Sequence, residues 1–209
     1  MRNTSRLLAA SFAFVTMFGA AAWAQQPPTP TVRIRGTIEA VDGALLSIKS
    51  REGTDMKVRM TDNATVFAVV KTELSEIKEG SYIGVTALPE PDGTQKAVAV
   101  HIFPENQRGA AEGFRPWDAR ANSTMTNATV AQTVKGTDGQ NITVKYKDGE
   151  KKVVVPPDTP IVTFIASDKS EDDQLGAGLD LGLVAGDEGD GTLEANRVNV
   201  GRDGITPPM

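Results

Sequence analysis

The chain has no cysteine and a single histidine among 209 residues. The first absence excludes disulfides, thiolate metal sites, a cysteine nucleophile and a lipid anchor carried on cysteine. One histidine excludes multi-histidine metal centres and leaves little scope for a Ser-His-Asp triad. Aromatic residues make up 5% of the chain, and positive charge is not in excess: 22 Lys and Arg stand against 27 Asp and Glu, a formal net charge of −5. Single-strand nucleic-acid binding needs a basic groove interleaved with stacking aromatics, so no nucleic-acid partner is expected. Beyond the first two dozen residues no segment stays apolar for more than about 8 residues, far short of the roughly 20 that a helical membrane span requires. Composition points to no cofactor and to no familiar enzyme class.

The first segment is the exception. Arg2 and Arg6 precede an apolar stretch from Leu7 to Ala22, and Ala22-Trp23-Ala24 has the small-x-small form of a cleavage site. That order reads as a secretory signal over residues 1–24, which places the mature chain in the periplasm or outside the cell. Cleavage removes Arg2 and Arg6 and no acid, which moves the net charge from −5 to −7. Residues 25–31, with Pro27, Pro28 and Pro30, read as an extended tether.

The remainder reads as a tandem repeat, one copy over residues 32–103 and a second over 123–204, followed by a tail at 205–209. Gly36-Thr37-Ile38 corresponds to Ala128-Thr129-Val130 at an offset of 92; Val58 and Asp62 correspond to Val154 and Asp158 at 96; Asp92-Gly93-Thr94 corresponds to Asp190-Gly191-Thr192 at 98. The drift falls where loops tolerate insertions, near Gly136 to Gly139 and between Thr163 and Gly189. Each copy alternates with period two. Ile34, Gly36 and Ile38 alternate with Arg33, Arg35 and Thr37, and Leu46 with Ile48, Met56 with Val58 and Met60, Ile83 with Val85, and Val98 with Val100 and Ile102 extend the pattern. Val130, Ile142, Val144, Val153 and Val198 mark the matching strands of the second copy. Asp-Gly turns punctuate both, and Leu74 with Ile77 has helical spacing within Thr72 to Glu79. Three strands, a connector and two strands in each copy predict an all-β protein: two tandem five-stranded OB-like barrels joined by an ordered linker.

The linker, residues 104–122, holds Phe114 and Trp117 beside Arg115, Pro116 and Asp118. Trp117 is the only Trp beyond residue 24. Two roles stand open for the aromatic pair. They pack into a barrel end or the seam between units, or they form a recognition patch with Trp117 as anchor and Arg115 as polar partner. Phe114, Arg115, Trp117 and Asp118 are therefore the candidate site, and a periplasmic protein or small ligand is the expected partner.

Gly113-Phe114-Arg115-Pro116-Trp117-Asp118, followed by Ser123-Thr124-Met125-Thr126-Asn127-Ala128-Thr129-Val130, resembles the linker of exported bacterial proteins in the domain-of-unknown-function 5666 family. The family spacing has two residues between Gly and Arg where this chain has one. The resemblance implies a fold and a compartment, and no activity. Some members carry the label of metal ABC transporter permease, which the hydropathy of this chain contradicts because a permease needs several spans.

The remaining polar groups offer weaker chemistry. Asp168, Glu171, Asp172 and Asp173, and above all Asp187, Glu188 and Asp190, are an alternative site for a hard cation. Gly189 stands where an EF-hand frame starting at Asp187 needs an oxygen ligand, so a solvated acidic loop is the simpler reading. His101, which corresponds to Asn199, falls on the opposite parity from Val100 and Ile102 and is expected at the surface. Arg33 and Arg35 are expected on a solvated strand face. The expectation overall is a non-catalytic binding or interaction module, with a cation-binding protein as the alternative.

Overall fold

The computed structural model describes residues 33–137, 139–167, 179–183 and 193–208, with backbone alone for 179–183. It is all-β. The strands are β1 (Arg33–Asp42), β2 (Leu45–Ser50), β3 (Asp55–Lys71), β4 (Tyr82–Pro89), β5 (Gln95–Ile102), β6 (Gly113–Pro116), β7 (Thr124–Gly136), β8 (Gly139–Tyr146), β9 (Gly149–Val155), β10 (Ile161–Ser167), β11 (Leu179–Leu183) and β12 (Leu193–Gly201). Among the described residues no helix is long and apolar enough to cross a membrane. The helical spacing of Leu74 and Ile77 yields only a 3-10 turn at Leu74–Glu76, with Ile77 buried in a barrel core.

Strands β5-β4-β7-β8-β9 form a closed five-stranded barrel, sealed by the parallel pairing of β5 with β9. The remaining neighbours run β12-β11-β1-β2-β3, and a parallel pairing of β12 with β3 returns that row on itself. Neither ring lies within one half of the sequence. The β4–β5 hairpin closes on the β7–β8–β9 meander, and the β11–β12 hairpin closes on the β1–β2–β3 meander. The expected closure of 32–103 on itself, and of 123–204 on itself, is therefore replaced by a reciprocal exchange of hairpins.

The exchange follows from what each meander lacks. Ile34, Leu46, Ile48, Val58 and Val66 line one apolar face of β1–β3, and Ala195, Val198 and Val200 of β12 complete that core. Ile83, Val85, Ala87, Ala97 and Val100 of the first hairpin complete the other core, against Val130, Ile142, Val144 and Val153. Neither three-stranded sheet has a partner for its buried face without the hairpin from the other half.

Matching irregularities accompany the exchange. A bulge sits between Ile38 and Ala40 in β1 and another between Val130 and Gln132 in β7, 92 residues apart like the motifs they interrupt. A second matched pair falls at Thr86/Ala87 and at Gly182/Leu183.

One strand departs from the alternation pattern. β3 continues past Met60 to Lys71, and its far half pairs antiparallel with β10. At an offset of 96, Val66 corresponds to Val162 and Lys71 to Ser167. The observed register joins Val66 to Ser167, Val69 to Phe164 and Lys71 to Val162, so the pairing maps onto itself when the halves are interchanged. β10 is the counterpart of the far half of β3, separated from β9 by Pro156, Pro157 and Pro160, whose missing N–H groups cannot continue a ladder. β10 also runs parallel to β5, and so ties the rings together. Around this bridge lies a third apolar cluster of Phe67, Val69, Met125, Val162 and Phe164, with Phe103, Trp117 and Ile205 packed against it.

Candidate functional site

The linker carries its aromatic side chains to this bridge. β6 pairs antiparallel with the start of β7, and strand alternation sends Gly113 and Arg115 inward and Phe114 and Pro116 outward. Phe114 is exposed, with the Lys151 ammonium 4.3 Å from its ring centre. It stands apart from the other three candidate residues.

Trp117 follows β6 in a loop closed by Ser123. The Trp117 N–H donates to the Ser123 carbonyl at 2.8 Å, and Ser123 Oγ accepts from the Arg120 N–H at 3.1 Å. The indole packs on the third apolar cluster, while the Arg33 guanidinium lies 3.9 Å and that of Arg115 5.3 Å from its ring centre. Asp118 accepts two hydrogen bonds from Arg35, at 2.7 and 3.0 Å, and a longer one from Arg33 at 3.4 Å. The Arg35 hydrogen bond holds the Asp118 carboxyl below the usual carboxylate range. Arg33 and Arg35 are thus bound to the linker and are not the solvated pair expected from alternation. The Arg35 side chain is only 10% exposed.

Between the linker and the bridge lies a cleft of about 200 Å³, lined in part by Arg115, Trp117, His101, Asn127, Phe164 and Arg197. His101 is buried, against expectation. Val98 is the extra residue of the β4–β5 bulge, and the face of β5 beyond it is covered by the bridge instead of water. Its ring meets Phe103 and Phe164 edge-on, with centres 4.6 and 5.5 Å away. The other side of the ring lies on Gly84, where an added Cβ would come within 2.0 Å of His101 Nε2, so no side chain fits there. Burial first, then the nearby charges of Arg197 and Arg115, push the His101 pKa down to about 3.

Asn127 Nδ2 donates to the Ala110 carbonyl at 3.0 Å, the same oxygen that accepts from the Tyr82 hydroxyl at 3.1 Å. Burial pushes the Tyr82 pKa up to about 12. Asn127 Oδ1 and the indole Nε1 of Trp117 are buried and have no hydrogen-bond partner among the described residues. Arg115 donates to the Ala111 carbonyl at 2.8 Å and is half-buried. Burial, then the Arg33 charge, lowers its pKa. Arg197 lies 4.5 Å over Phe67 and donates to Asn199 Oδ1 at 3.1 Å. Three guanidinium groups line the cleft, and no carboxylate does among the described residues.

Of the candidate residues, Arg115 and Trp117 line the cleft, Asp118 fixes its rim and Phe114 lies outside it. Alternation did not reveal Arg33, His101, Asn127, Phe164 or Arg197. Asp168, Glu171, Asp172, Asp173, Asp187, Glu188 and Asp190 lie outside the described residues. Among the described ones no group of three or more His, Asp or Glu is placed to hold a metal ion.

Burial of a neutral His101 links stability to pH. The unfolded chain binds a proton near pH 6.5 that the folded chain refuses until about pH 3. The associated stabilisation is present above pH 6.5 and is lost as the pH falls toward 3. His101 is the only histidine, so roughly 2 kcal/mol of stability is expected to vanish between pH 6.5 and 4.5 through this one group. His101→Asn, the residue at the corresponding position 199, is expected to flatten that slope, as read from urea midpoints across the pH range. An unchanged slope would place the effect elsewhere.

Comparison with family models, with curated proteins and with solved structures gives no match for this chain.

Proposed function

We propose that this protein is a non-catalytic, exported binding module and that its working site is the cleft between the linker and the β3–β10–β5 bridge. The observation that carries the reading is the make-up of that cleft. Three guanidinium groups, a neutral histidine and two asparagines line a recess whose other walls are largely apolar, in a chain of net negative charge. A few convergent polar groups in an apolar recess are the general form of a small-ligand site. The signal-like segment at residues 1–24 supports a periplasmic address, and the likeness to the domain-of-unknown-function 5666 family belongs to the same reading.

The two rings are read as OB-like units produced by duplication and joined through exchanged hairpins. The matched bulges and the self-mapping β3–β10 register support that origin.

Amide chemical-shift mapping with a library of small polar molecules tests the site. Shifts are expected to centre on His101, Arg115, Trp117 and Asn127. Perturbations confined to other surfaces, or none at millimolar ligand, would overturn the proposal.

A further inference from the structure

One residue narrows the class of ligand, and the assignment rests on the proposed binding role of the cleft. Arg115 donates one N–H to the Ala111 carbonyl at 2.8 Å and meets no carboxylate among the described residues. Glu112, three residues earlier, instead accepts the Lys147 N–H at 3.0 Å. The other two guanidinium groups at the cleft are engaged, Arg33 with Asp118 and Arg197 with Gln107 and Asn199. They build the walls and are not needed to hold a ligand. Arg115 is placed to do so. Ala111 and Trp117, which flank its guanidinium, both line the cleft, and the indole centre is 5.3 Å away.

Arg115 is half-buried, so part of its side chain is open to the recess and part is cut off from water. A guanidinium that loses hydration without gaining an anion is under-compensated, and burial accordingly lowers its pKa. Its remaining N–H groups keep the planar fork that matches the two oxygens of a carboxylate. A phosphate would bring further charge and further oxygens, for which the apolar walls offer no donors.

The walls decide the rest of the molecule. Phe103 and Trp117 are half-buried, with Ala110, Met125 and Phe164 around them. Apolar surface of this kind gains by covering hydrocarbon, so one charged end and an apolar body fit the recess. Its volume of about 200 Å³ limits that body. An apolar cavity of about 150 Å³ holds benzene, which sets the scale at a single ring. We infer that the cleft binds an apolar monocarboxylate of about benzoate size, its carboxylate on Arg115 and its hydrocarbon body against Phe103 and Trp117.

Calorimetric titration of the full chain tests this with benzoate, against benzamide (the ring without the charge), acetate (the charge without the ring) and inorganic phosphate. Benzoate is expected to bind at least tenfold more tightly than benzamide or acetate. Arg115→Gln is expected to lose at least tenfold for benzoate while the weaker benzamide binding holds, which shows that the recess is intact. Arg115→Lys, which keeps the charge without the fork, is expected to recover only part. Equal binding of benzoate and benzamide, or full benzoate affinity in Arg115→Gln, would overturn the carboxylate assignment. Acetate binding as tight as benzoate would overturn the apolar body. Phosphate ahead of benzoate, or no benzoate binding at millimolar concentration, would overturn the whole inference. The binding module would still stand if other small molecules shift the cleft amides.

Discussion

Val198→Asp is expected to unfold the first three strands of the chain, although it lies more than a hundred residues beyond them. Val198 is 1% exposed and sits in β12, where its side chain joins Ile34, Leu46, Ile48, Val58 and Val66. A carboxylate there has no cationic partner in the core and no route to water. An unpaired buried charge is among the few single changes that cost about 4–5 kcal/mol or more, against a total stability of about 5–15 kcal/mol for an ordinary domain. Because β12 pairs with β3 over residues Val58 to Val69, amide exchange protection in β1, β2 and β3 is expected to fall with that of β12. Loss confined to the C-terminal half, with β1–β3 protection intact, would mean that the N-terminal meander closes without this hairpin.

Trp117→Ala is expected to lower stability by about 2–4 kcal/mol, toward the lower part of the range for aromatic truncation because the indole is half-buried. Two losses combine. The seam cluster of Phe67, Val69, Met125, Val162 and Phe164 loses its cover, and the Arg33 guanidinium loses the ring 3.9 Å beneath it. Arg33 and Arg35 also hold Asp118, the next residue, so a loosened loop weakens that ion pair. Trp117→Phe keeps an apolar ring and is expected to recover most of the loss. Denaturant midpoints with an unchanged m value would register it as stability. A midpoint unmoved by Trp117→Ala would make the indole a purely exposed anchor, the other role the linker left open.

The all-β class, most strand positions and the linker as the distinctive segment are legible in the sequence. Alternation works where a strand buries one face: Ile34, Ile38, Leu46, Ile48 and Val58 are all buried as expected. It fails where both faces are covered. Val66 to Val70 is a continuous apolar run, and Ile161 to Phe164, the covered part of β10, is interrupted only by Thr163. Such runs mark two-sided strands, and they are the β3–β10 bridge. Alternation misplaces His101 for the same reason, compounded by the bulge at Val98. The hairpin exchange leaves no local signal, because each meander accepts either hairpin by the same apolar pattern. Which one closes it depends on connection geometry, which residue types do not encode. Arg33 and Arg35 look solvated because their partner, Asp118, lies more than 80 residues away in sequence.

The two halves close only through each other, and the cleft is held between them. A protease site inserted between Ala121 and Asn122, both exposed, tests this most directly. Cleavage of the folded protein separates β1–β6 from β7–β12 covalently. The two fragments are expected to stay together as one particle through size-exclusion chromatography and to melt in a single transition, parting only in denaturant. Separation under native conditions into two folded fragments, each melting on its own, would contradict the exchange and the cleft built on it.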